Sequence, residues 1–211
     1  MASPRKKIDK DSTDGISRFG GVFREPSYTN AYFKAAKVLL EKAKDNGELD
    51  ELGLPIFYLI RHTVELKIKS LLTIIYDICD MSRELYPEKY TDEIKPSKRQ
   101  IDRLNTSHNI EKLYNDLKNC CEELEMVFLP NSLLPVLTII KTYEINPTWS
   151  RYNRSGEGHH TKDEVTLPII RLFDDLEKLF QELHYDNDDS LESKLYSEYQ
   201  ALMVRGDEKN Y

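Results

Sequence analysis

Arg61 and His62 stand side by side inside "IFYLIRHTVELKIKSLL" (residues 56–72), with Glu65 one turn later. Apolar residues surround them and nothing in the stretch breaks a helix. At about 100° per residue, Phe57, Arg61, Val64, Ile68, Leu72 and Ile75 fall on one stripe. Arg61 therefore points inward, Glu65 lies four residues on along one flank, and His62 and Lys69 sit near the stripe's edge. An unpaired buried charge is very costly, so the guanidinium needs a carboxylate or a solvated pocket. Two readings follow. Arg61 and Glu65 form a structural pair that fixes helix register, or they line a polar pocket that binds an anion. Arg before Glu is the weaker order for a simple surface pair.

A second constellation lies in "EINPTWSRYNRSGEGHH" (residues 144–160). Arg154 and His159 have four residues between them, and His160 satisfies a five-residue spacing. Arg holds a phosphate bidentately, and His exchanges protons near neutral pH. RNA cleavage requires both: a base at the 2′-hydroxyl and a cation where charge builds on phosphate oxygens. Arg151 and Tyr152 extend the set, since an aromatic ring stacks well on a base. The plain alternatives are a solvated histidine pair and aromatic anchors for the loop. Gly156 and Gly158 place the spacer in a loop. His108 reads simply as a residue at the start of its helix.

The elements that must position these groups are helical. Only 8 Gly and 9 Pro occur in 211 residues, which disfavours a turn-rich strand fold. A first helix is expected over about 28–44, closed by Asn46-Gly47. A second runs from Pro55, at a first helical position, to about Asp80. Residues 81–106 read as a polar insertion holding the densest basic run, Lys95, Lys98, Arg99 and Arg103. Further helices are expected over about 109–125 and 132–143. A fifth should start after a Thr161-x-x-Glu164 capping box and run to about 183. Residues 186–211 form a C-terminal helix or tail, and residues 1–26 a mobile or loosely docked arm, leaving 27–185 as the bundle.

The net charge of −7 argues against broad non-specific binding of nucleic acid, though not against a local basic site. Cys79 and the adjacent Cys120-Cys121 form neither a disulfide framework nor a zinc pattern, which suits a reducing cytoplasm. No membrane span, metal site or cofactor is expected.

"FYLIRHTVELKIKSLL" resembles the second-helix pattern of uncharacterised bacterial proteins with the HEPN-like helical fold, where Arg-His is followed by Glu-Leu and a Lys. "SHNIEKLYNDL" is similar to their third-helix start, and "EINPTWSRYNRSGEG" to the Arg-Tyr loop before their last core helix. The resemblance spans roughly residues 55–180. It implies an all-α antiparallel bundle of about five core helices plus a C-terminal helix, commonly a homodimer. Many such domains are metal-independent endoribonucleases of toxin or antiphage systems, with an Arg, four to six residues, then a His. On that pattern Arg154, His159 and His62 are the candidate catalytic residues. Arg61, Glu65, Arg151, Tyr152 and His160 are the candidate substrate-binding ones. The competing class is a non-catalytic module that binds a partner protein or a nucleotide.

Overall fold

The computed structural model describes residues 28–88, 96–123, 129–144, 154–155, 158–159, 164–183 and 188–209. Its long central helix explains most of the architecture. Helix α2 (Leu49–Leu85) buries residues on nearly every side of its middle, from Ile56, Phe57 and Ile60 through Val64, Ile68 and Leu72. A helix apolar on one stripe lies at a surface, whereas one buried all round must be enclosed by others. Helices α1 (Tyr28–Asn46), α3 (Lys98–Thr106), α4 (Ile110–Glu123), α6 (Ile169–Glu182) and α7 (Leu191–Lys209) all pack against it, and α5 (Leu133–Tyr143) joins α4 and α6. Each fully buried Phe, Leu or Ile side chain stabilises by roughly 1.5–3 kcal/mol.

The caps set the helix ends. Gly47, with φ of 72°, stops α1, and the Glu48 amide donates back to the Ala43 carbonyl at 2.9 Å, a Schellman closure. The chain then reverses. Tyr32 and His62, each fifteen residues from Gly47, meet across the resulting hairpin of α1 and α2. Asn109 caps α4 through its Oδ1, which accepts from the Lys112 amide, and Ser190 caps α7 by accepting from Ser193. At α7 the Lys67 ammonium meets Glu192 at 2.6 Å while lying over the Phe180 ring.

The fold is all-helical among the described residues apart from a two-residue antiparallel pair, β1 (Arg154–Ser155) with β2 (Gly158–His159). Several boundaries differ from those expected from sequence. Helix α2 starts at Leu49, so Pro55 lies inside it. The ring leaves the Glu51 carbonyl without its amide partner, and residue 51 is exposed rather than buried. The polar stretch 81–106 carries the last turn of α2 and all of α3, separated by residues 89–95 outside the described set. Helix α6 begins at Ile169, not after Glu164. Pro168 disfavours helical geometry for Leu167 and itself suits a helix entrance. Of the expected capping pair, Thr161 lies outside the described residues, as does the N-terminal arm.

Candidate functional site

Arg61 is 1% exposed, the largest of the fully buried side chains among the described residues. Its three nitrogens go three ways. Nη1 donates to Glu65 Oε2 at 2.8 Å, Nε to Glu144 Oε1 at 2.5 Å, and Nη2 to the His108 carbonyl at 2.5 Å. One guanidinium therefore ties α2 to the turn before α4 and to the residue that follows α5. Glu65, also 1% exposed, takes the other half of the network. Its Oε1 meets His108 Nδ1 at 2.9 Å and the Lys69 ammonium at 3.1 Å. Burial alone would push the Glu65 carboxyl up. Hydrogen bonds from Arg61, His108 and Lys69 outweigh it and hold the carboxyl below its ordinary value.

That charge state fixes the imidazole. An ionised carboxylate only accepts, so the His108 Nδ1 carries the proton that bridges to Glu65. In the neutral ring the other nitrogen, Nε2, is then the acceptor. The His108 side chain is 55% exposed, while the Glu65 behind it is 2% exposed. A buried carboxylate orienting a solvent-facing imidazole is the arrangement that holds a general base in one tautomer. The two chain neighbours of His108, Asn109 and Ser107, each line a cleft. One, of about 480 Å³, runs between α4 and α5 and is lined by Asn109, Tyr114, Leu134, Thr138 and Glu144. The other, of about 400 Å³, lies between α3 and the start of α4 and includes Ser107.

The residues singled out from sequence divide accordingly. Arg61 and Glu65 do pair, and every nitrogen of Arg61 is engaged by protein groups, so the register-fixing reading describes that pair. His62 faces α1: Tyr32 meets its ring edge-on at 4.5 Å between centroids, and Tyr58 stacks on it at 5.8 Å. Arg154 and His159 are directly opposed Cα partners in the short antiparallel pair, so the spacing that looked like an open loop is a hairpin register. Arg151, Tyr152 and His160 lie outside the described residues. Sequence reasoning missed three members: His108, Lys69 and Glu144. The signal was present, because His108 and Glu144 lie at the start of the second and third segments of the family resemblance, and Arg61 and Glu65 belong to the first.

No protein-family model matches the chain, and no curated protein or solved structure matches it at a significant level.

Proposed function

We propose that the chain is a HEPN-like, metal-independent endoribonuclease whose general base is His108, oriented by Glu65. The observation that supports this is the Glu65–His108 pair, with a buried carboxylate on Nδ1 and an exposed ring whose chain neighbours Ser107 and Asn109 each line a cleft. His108 Nε2 takes the 2′-hydroxyl proton, the 2′-oxygen forms a bond to phosphorus, and the P–O5′ bond breaks. The leaving 5′-oxygen is protonated from solvent, giving a 2′,3′-cyclic phosphate and a 5′-hydroxyl. Arg61 is the positioning residue, since it holds the His108 backbone and Glu65 at once.

The convergence of the three resembling segments on one network favours the HEPN-like reading of the bundle. That reading in turn carries a cytoplasmic setting, a homodimer, and a toxin or antiphage system with its partner protein. Arg154 and His159 remain candidates for a second catalytic pair on the hairpin. The competing reading, a non-catalytic module, is favoured by the complete engagement of Arg61 by protein and by the net charge of −7.

Labelled tRNA and total RNA incubated with the purified chain test the proposal. Cleavage that persists in excess chelator and leaves cyclic phosphate ends supports it. Intact RNA at micromolar protein hands the site to the binding-module reading. Light scattering at the same concentration reports the dimer, and a monomer mass removes that part.

A further inference from the structure

The basic run that reads as solvated loop is an ordered helix face. Ser97 and Gln100 close a capping box at the start of α3, each side chain bonding the other's backbone amide. No residue of α3 is fully buried, and Leu104 alone of its apolar side chains packs against the core. Arg99, Asp102, Arg103 and Thr106 recur at three- and four-residue spacing and line one wall of the 400 Å³ cleft. Ser107, which ends α3, and Lys112, in the first turn of α4, line the other. Arg103 uses Nη1 on both oxygens of Asp116, at 2.7 and 2.9 Å, which pins α3 to α4. Arg99 and Lys112 are exposed and neither has an ion pair within 4 Å among the described residues. The cleft wall thus carries three cations against the Asp102 carboxylate, with the Asp116 charge behind Arg103. On a chain of net charge −7 this is a local reversal of sign. Ser107, which lines the same cleft, directly precedes His108 in the chain.

We infer that the cleft between α3 and α4 is the phosphate subsite for single-stranded RNA, with Arg99 and Lys112 as the two phosphate-binding cations and Arg103 as the strut that positions them. This inference rests on the ribonuclease reading for its ligand, and it adds what that site otherwise lacks. Arg61, the inward cation, is fully occupied by protein groups, so the charge for the backbone has to come from elsewhere. A point cation from Lys and a planar fork from Arg, on facing elements, bracket a phosphate between them. The adjacent nucleotide then reaches His108.

Fluorescence anisotropy of a labelled 2′-O-methyl oligoribonucleotide, which cannot be cleaved by 2′-oxygen attack, reads binding apart from chemistry. The expected result is salt-dependent binding whose log–log slope falls by about 0.7 in the Arg99→Ala/Lys112→Ala variant, the value for the one bracketed phosphate of a single strand that is no longer neutralised. Lys118→Ala, which removes a surface cation elsewhere on α4, should leave the slope unchanged. Circular dichroism checks that the double variant is folded, and its two residues are exposed. A wild-type slope in the double variant, an equal fall in Lys118→Ala, or no salt-dependent binding by the wild type overturns the subsite. The two proposals fail separately. A double variant that binds and cleaves like wild type removes the subsite and keeps His108 as base. A chain that binds through Arg99 and Lys112 yet never cleaves unmodified RNA keeps the subsite and removes the cleavage.

Discussion

Replacing Arg61 with alanine should be among the most damaging single changes in this protein. The substitution removes three charge-assisted hydrogen bonds, to Glu65, Glu144 and the His108 carbonyl. It also empties the volume of the largest fully buried side chain among the described residues. Glu65, whose side chain is 2% exposed, would keep only Lys69 and His108 as partners. Removing one partner of a buried pair typically costs about 3–5 kcal/mol. Against a total stability of about 5–15 kcal/mol, that is a large share. The remaining bonds to Glu65 place the expected value near the lower end, about 3 kcal/mol. Urea denaturation measures it as a lower midpoint with an unchanged slope. Because the loss comes from a stranded carboxylate, Glu65→Gln should partly rescue it, and the double variant should cost less than the sum of the singles. A loss below about 1 kcal/mol for Arg61→Ala, or strict additivity with Glu65→Gln, would refute the reasoning.

Three further outcomes are expected. Glu65 has a folded-state pKa below its unfolded value, so its contribution is present above the ordinary carboxylate range and lost as pH falls through the depressed value. The stability gap between wild type and Glu65→Gln should therefore shrink as pH falls below the ordinary carboxylate range in urea titrations; a constant gap would show that the carboxylate is not stabilised by its partners. The Tyr76 hydroxyl is buried without a hydrogen-bond partner among the described residues, so Tyr76→Phe should be neutral or raise stability by up to about 1 kcal/mol, and a clear loss would reveal a partner. Burial pushes the Cys121 thiol up to about 11, so it should alkylate at about pH 8 only on unfolding, and labelling of the folded chain at the free-thiol rate would contradict its place in the core.

The fold class was legible because it rests on periodicity. Phe57, Val64, Ile68 and Leu72 recur at helical spacing, and Asn46-Gly47 marks a helix end by the one residue type that takes positive φ without cost. Boundaries set by proline were less so. Pro55 and Pro168 look alike as helix-start signals, yet one lies inside α2 and the other caps α6, because tertiary packing on both sides of Pro55 extends the helix through it. Helix α3 carried a readable capping box at Ser97-x-x-Gln100, but Ile101 and Leu104 are its only apolar residues, too few to mark a period. In the site, the inward turn of Arg61 followed from wheel positions, which also put Glu65 within its reach but left pair and pocket as alternatives. Glu144 and His108 could not, since they lie 83 and 47 residues away and meet Arg61 only through the packing of α4 and α5 around α2. A histidine at a helix start has no local feature that distinguishes a cap from a base. The carboxylate behind it does, and that hydrogen bond spans 43 residues.

The most direct test of the account is the single-turnover rate of RNA cleavage by His108→Ala. The side chain is 55% exposed, so stability should change by no more than about 0.5–1 kcal/mol, mostly through the missing bond to Glu65. Loss of a general base lowers the rate by about 10²–10⁴-fold, and that is the result expected, with His62→Ala, which faces α1, close to wild type. Wild-type cleavage by a folded His108→Ala chain, with cleavage abolished by His159→Ala instead, would contradict the account and move the catalytic centre to the hairpin.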